Sequence, residues 1–222
     1  MNIPFLSHTI HSGADTTAHT PSSGGSAPGH SLHSQHAPIT IVRIGTRPGR
    51  HHLRINHIVK NLKEDSLVVL AYDGNYCDYD WAAISSHPDG EHLPKVNFGD
   101  FRETYTAIIP RILSTGVHIA LLTLPSLLPQ RYFDHVSRNL NRNAILQWLG
   151  GDVCNLNRWQ EQYNEEILSL AAHYNIPVVD INPSFLQRHY IESCYRDDGM
   201  HPNTTGQTVI SELVASWQSR AH

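Results

Sequence analysis

The chain holds only 3 cysteines in 222 residues, and Cys77, Cys154 and Cys194 have neither a CxxC nor a zinc-ribbon spacing. An odd, scattered set excludes a disulfide framework and a cysteine-built zinc centre, and reads as isolated thiols in a reducing compartment. Long apolar runs are also missing, since no stretch approaches the roughly 20 residues of a membrane span. The start, Met1 to His8, has neither a basic region nor an apolar core of signal-peptide length. These absences predict a cytoplasmic protein without a membrane span. Basic residues are scarce, 16 Lys plus Arg against 20 Asp plus Glu for a formal charge of −4. Nucleic acid is therefore not an expected partner, because phosphate binding needs a concentrated positive field.

Histidine is what the chain has in quantity, 17 in all, and six of these (His8, His11, His19, His30, His33 and His36) fall in the first 37 residues. Residues 14–37 lack Lys and Arg and are dominated by Ser, Thr, Gly, Pro, Ala and His, so they predict a flexible loop. His30, His33 and His36 lie three apart, a spacing able to collect a transition metal, but without acidic partners they read as solvated loop residues. His51 and His52 follow Arg47 and Arg50 near a predicted helix start and read as a solvated face. The length suits one domain over residues 1–222.

Short apolar runs at 39–44, 66–72, 117–124 and 177–181 read as buried strands, with Ile3 to Leu6 as a fifth. Between them come helical stripes: Leu53, Ile58 and Leu62; Phe101, Tyr105, Ile108 and Ile112; Trp159, Tyr163, Ile167 and Leu170; Val209, Ile210, Leu213, Val214 and Trp217. Pro110 sits inside the second stripe and should kink or shorten that helix. The stretch from Ser126 to Cys154 is long for a connection and predicts a lid, a pocket wall or small packing helices. Alternating strands and helices imply a three-layer α/β fold around a parallel sheet of about five strands, with ligands at the carboxyl ends of the strands.

Chemistry concentrates in Asp198-Gly-Met-His201-Pro-Asn-Thr-Thr-Gly206, which runs into the last helix. An Asp three residues before a His can accept a hydrogen bond from one ring nitrogen and leave the other as a general base. Pro202 and Asn203 are helix-start residues that would hold the His at a fixed terminus. The same residues also suit a plain Asx-type turn with a surface histidine.

The segment resembles the last sequence block of the SGNH (GDSL-type) hydrolases, whose Asp-x-x-His-Pro supplies two members of a Ser-His-Asp triad. The resemblance implies a flavodoxin-like fold in which Asp198 orients His201. It also implies a glycine after the second strand and an asparagine after the third. Gly45 after Ile39–Ile44, and Asn75 in Asp73-Gly-Asn-Tyr76, occupy those places. There they would join the nucleophile's own N–H as oxyanion-hole donors. Trp81 to Lys95, Leu121 to Pro125 and Arg131 to Asp134 are similar to stretches of a bacterial subgroup of the family. The likeness covers most of residues 39–218 and is most specific in the C-terminal half.

Two departures stand out. Tyr76 replaces the acid that usually follows the asparagine, and the nucleophile block Gly-Asp-Ser-x-x-x-Gly is absent. The best match in register is Ser7-His8-Thr9-Ile10-His11-Ser12-Gly13, with Thr9 at the serine's place and His8 at the aspartate's. A threonine hydroxyl can attack an acyl carbon, although its methyl crowds the approach. Ser7 and Ser12 are alternative nucleophiles, and Cys77, near Asn75, is a weaker one. The implied activity is cleavage of a carboxylic ester or O-acyl group on a small molecule, lipid or carbohydrate. It requires no metal or organic cofactor. The same residues suit acyl transfer to an acceptor other than water, and the missing block suits an inactive relative that only binds such a ligand. Oligomeric state is not encoded legibly.

Overall fold

A computed structural model describes residues 9–10, 39–44, 66–72 and 78–221. In chain order its elements are β1 (Thr9–Ile10), β2 (Ile39–Ile44), β3 (Leu67–Tyr72), α1 (Trp81–Ser86), α2 (Phe98–Leu113), β4 (His118–Leu122), α3 (Pro129–Val136), α4 (Arg142–Trp148), α5 (Asn155–Tyr174), β5 (Val178–Val179), α6 (Asn182–Leu186) and α7 (Thr204–Ala221), with a 3-10 turn at Ile191–Cys194 before the last helix. The Ile3–Leu6 strand, the Leu53 to Leu62 helix and the 14–37 loop expected from sequence lie outside the described residues.

The sheet has the order β1-β2-β3-β4-β5. Strands β2 to β5 are parallel, with Ile44 opposite Tyr72 and Ala71 opposite Leu122. The outer β1 is antiparallel, Thr9 facing Thr40 and Ile10 facing Ile39. It is the one antiparallel strand described beside the expected central parallel sheet. A parallel neighbour needs a crossover, usually a helix, and the sequence between Ile10 and Ile39 has no apolar stripe from which to build one.

Alternation along the strands builds the layers. Val68, Leu70, Tyr72, Ile119 and Leu121 face one way and pack with Phe101, Tyr105 and Ile108 of α2 and Tyr163 and Ile167 of α5. Leu67, Val69, Ala71, Ala120 and Leu122 face the other way, against Phe185 of α6 and Val209, Ile210 and Val214 of α7. Because β3 is covered on both faces, all six of its residues are buried and it reads as an unbroken apolar run. The three described helical stripes predicted from sequence occupy α2, α5 and α7.

Pro110 does not end its helix, which continues to Leu113. The proline lies in the last turn, where the missing N–H costs one hydrogen bond, and the Ile108, Ile109 and Ile112 side chains remain buried around it. Asn97 caps the start of α2 by accepting the Asp100 N–H at 2.9 Å. Helix α5 ends at Asn175, which adopts a left-handed φ of 53°.

A third apolar cluster lies beyond the sheet. It joins Tyr79, Trp81 and Ile84 to Leu127, Tyr132, Phe133, Ile145, Leu156 and Met200. Thus the 126–154 stretch forms two short helices that pack as a cap. Rings connect this cap to the core: Tyr72 touches Phe101 with centroids 4.4 Å apart, Phe101 touches Tyr163 at 5.2 Å, Tyr163 touches Trp159 at 5.8 Å, and Trp159 touches Tyr79 at 4.4 Å.

Candidate active site

The turn from Asp198 to His201 closes on itself. Asp198 Oδ1 accepts the backbone N–H groups of Met200 and His201, both at 2.8 Å. Its other oxygen, Oδ2, accepts from His201 Nδ1 at 2.8 Å. The predicted pair and the predicted Asx-type turn are thus one structure. A proton on Nδ1 leaves the lone pair of a neutral ring on Nε2, the arrangement a general base needs. Among the described residues Nε2 makes no hydrogen bond, and the imidazole is 34% exposed. Burial works to raise the Asp198 carboxyl, but the His201 and Met200 N–H groups and the His201 ring outweigh it and hold the carboxyl below its usual range.

Surrounding bonds fix this turn in space. Arg196 N–H donates to the His201 carbonyl at 2.8 Å, and Asn203 N–H donates to the Cys194 carbonyl at 2.9 Å. The Asn203 amide donates to the Ser193 and Tyr195 carbonyls, while its oxygen accepts the Gly206 N–H at 3.1 Å and so caps α7. Gly199 has a φ of +72°, and a Cβ there would lie 2.8 Å from the Tyr132 nitrogen. Only glycine satisfies both the conformation and the contact. The Gly199 carbonyl accepts the Leu128 N–H at 2.8 Å, which ties the turn to the segment leaving the carboxyl end of β4.

A second anchor was not legible in the sequence. Asp78 accepts hydrogen bonds from the Tyr132 hydroxyl, from Trp81 Nε1 at 2.6 Å and from the Tyr79 N–H at 2.8 Å, and pairs with Lys95 at 2.8 Å. Tyr132 is 3% exposed, and its hydroxyl is pushed well above the usual tyrosine range, by burial first and then by the Asp78 charge, with a smaller contribution from Asp198. Tyr132 therefore lies between the segment that follows Asn75 and the turn that carries His201. The available signal was the Asp78-Tyr-Asp-Trp81 cluster three residues after Asn75, but nothing local pairs it with a tyrosine 54 positions later.

Gly45 and Asn75 lie outside the described residues, as does Cys77. Their strands do bring the flanking positions together, because Ile44 and Tyr72 are register partners at the carboxyl edge of the sheet. Thr9 is described only as part of β1. Its Cα is opposite Thr40, four residues before Ile44. At about 3.3 Å per residue, that is roughly 13 Å back from the edge along β2. The described residues contain no cluster of three or more His, Cys, Asp or Glu able to hold a metal ion, and no described helix is long and apolar enough to cross a membrane.

The structure is similar to several solved ones. A lipase/acylhydrolase from Enterococcus faecalis shares 19% identity, with 76% of this chain and 69% of that one covered and a TM-score of 0.43. A GDSL-like lipase from Bacteroides thetaiotaomicron shares 17%, over 77% and 69% of the two chains, with a TM-score of 0.43. The acetyl xylan esterase AlAXEase shares 20%, over 74% and 72%, with a TM-score of 0.44. No curated protein sequence matches the chain. The profile of the GDSL-like Lipase/Acylhydrolase family matches residues 43–209, a span that takes in Gly45, Asn75, Asp198 and His201 and leaves Thr9 outside. With most of its length matched, the chain belongs to the GDSL-like lipase/acylhydrolase family.

Proposed function

We propose that this chain hydrolyses a carboxylic ester or O-acyl group, with His201 as the general base and acid and Asp198 as the carboxylate that fixes its tautomer. The observation carrying this reading is the 2.8 Å hydrogen bond between His201 Nδ1 and Asp198 Oδ2. Family membership supports ester hydrolysis in general. In the proposed reaction a hydroxyl gives its proton to His201 Nε2 as its oxygen bonds to the acyl carbon. The carbonyl electron pair moves onto oxygen, where the Gly45 N–H and the Asn75 amide stabilise it. Collapse expels the alcohol, which takes the proton from His201, and water then repeats the sequence to free the acid. No metal or organic cofactor enters this scheme. The substrate is a small-molecule, lipid or carbohydrate ester.

Thr9 is the assigned nucleophile and the part most exposed to test, given its pairing opposite Thr40 and its place outside the family match. Those two observations favour a second reading, an inactive relative that retains the site and binds an acylated ligand. Turnover of acetyl and butyryl esters by wild type, Thr9→Ala, Ser7→Ala and His201→Ala separates the two. Hydrolysis predicts activity in wild type and a loss of at least about 10³-fold in His201→Ala. Activity that survives in His201→Ala refutes the base assignment, and loss in Ser7→Ala alone moves the nucleophile to Ser7. The binding reading predicts no turnover until Ser7→Gly, His8→Asp and Thr9→Ser restore the family block.

A further inference from the structure

The cap contains a cleft of about 270 Å³ whose lining includes Tyr79, Trp148, Leu149, Asn155, Leu156 and Trp159. Tyr79 makes ring contacts with both indoles, 4.9 Å to Trp148 and 4.4 Å to Trp159. Among the described residues no ring contact joins Trp148 to Trp159. Tyr79 therefore links the two indoles that line the cleft. Both tryptophans are half-buried, whereas Tyr79 is buried.

The chemistry of the lining restricts the occupant. No Asp, Glu, Lys or Arg lines the cleft among the described residues, and Arg158, which donates to the lining Asn155, is engaged there, so the lining itself offers a charged ligand no opposite charge. Aromatic walls offer flat apolar faces, and the polar handles are neutral: the Tyr79 hydroxyl and the Asn155 amide, which donates to the Leu149 carbonyl at 2.8 Å and accepts from Arg158 Nη1 at 3.1 Å, leaving one N–H and one lone pair for a ligand. Burial pushes the Tyr79 hydroxyl up to about 12 against the opposing effect of the Trp159 indole, which keeps it a neutral donor at physiological pH. The volume falls just below the roughly 300–1,000 Å³ of sites for drug-sized ligands, which suits one saturated ring. A fatty chain would leave the polar handles unmatched, and a planar cation would lack a counter-charge.

We infer that this cleft is a binding site for a neutral sugar ring, its C–H face stacked on the Trp148 indole and its hydroxyls meeting Tyr79 and Asn155. Met200, the neighbour of His201, packs in the same apolar cluster as Tyr79 and Leu156. The cleft would thus hold the alcohol side of a sugar ester, a role that rests on the hydrolase reading, whereas binding itself does not.

The test titrates the full chain with methyl β-glucopyranoside and methyl β-xylopyranoside while following the indole N–H resonances by NMR. Expected are saturable shifts of the Trp148 and Trp159 signals, with a dissociation constant of about 1–10 mM, and no shift at Trp217. Trp148→Ala should weaken binding at least about tenfold. Trp148→Phe retains packing against Trp81 and carries the test if the alanine variant does not fold; it should weaken binding less. No saturable shift up to about 100 mM overturns the site. So does unchanged affinity in both variants, or preferential binding of tetramethylammonium or butyrate. Glycoside binding without ester turnover in wild type refutes the hydrolase reading and leaves the sugar site standing.

Discussion

The turn that carries His201 and the strand that carries Thr9 would have to meet in one active site, yet they are held very differently. Asp198 accepts three hydrogen bonds from residues two and three positions away, Gly199 is wedged against Tyr132, and Asn203 clamps the far side. Thr9 belongs to a two-residue antiparallel pairing at the sheet edge. A base and its orienting acid can be assembled by one short peptide, because spacing alone sets their geometry. A nucleophile needs several strands to converge, since acyl transfer tolerates little displacement of the reacting atoms.

The strongest way to test that contrast is Asp198→Asn. The amide oxygen can still accept the Met200 and His201 N–H groups, so the fold should survive, while the imidazole loses its orienting charge. Ester kcat/KM should fall by about 10³–10⁴-fold with little change in urea midpoint. Because the Asp198 carboxyl is held low, its stabilising effect is present above its unfolded pKa and is lost as pH falls through the folded value. Any stability gap between wild type and Asp198→Asn should therefore close below about pH 4.

Next in size is Gly199→Ala, which adds a Cβ against the Tyr132 backbone at a φ of +72°. It should cost about 2–3 kcal/mol by urea denaturation. A value near zero would show that the turn is looser than its contacts imply. Tyr132→Phe removes one donor from Asp78 and should cost about 1–2 kcal/mol by the same measurement.

The smallest effect is expected at Glu161, remote from both regions in the sequence. Burial raises its carboxyl against the hydrogen bonds of Asn164 and Asn182, while its Oε1 and Asn182 Oδ1 are buried without partners. A raised carboxylate stabilises the fold only at pH values below its folded pKa and loses that effect as pH rises. Glu161→Gln should therefore melt slightly higher than wild type at pH 8 and at the same temperature at pH 4.

Sequence legibility follows the same division. Strands β2 to β4 were readable because parallel strands covered on both faces are unbroken apolar runs, and α5 because its stripe from Trp159 to Leu170 repeats over about three turns. Asp198 and His201 were readable because their contact is local. At Pro110 the sequence shows the proline but not that it falls in a last turn packed by isoleucines. The antiparallel β1 was missed because two residues give no pattern. Asp78 and Tyr132 left no periodic trace, since their meeting depends on how the cap folds back over the segment after β3. The sequence alone also left open whether residues 126–154 formed a lid or packing helices. Here α4 both packs in the cap and supplies Trp148 to the cleft.

The chain of rings from Tyr72 to Trp159 has an optical consequence. Light absorbed by tyrosines in the core has a route of contacts no longer than 5.8 Å to the indole of Trp159, and Tyr79 extends it to Trp148 at 4.9 Å. Emission excited through those core tyrosines should then come largely from the cap, while Trp217 on the other face of the sheet emits on its own. A red-shifted spectrum with unchanged far-ultraviolet circular dichroism would mark the moment the cap loosens while the sheet beneath it is still intact.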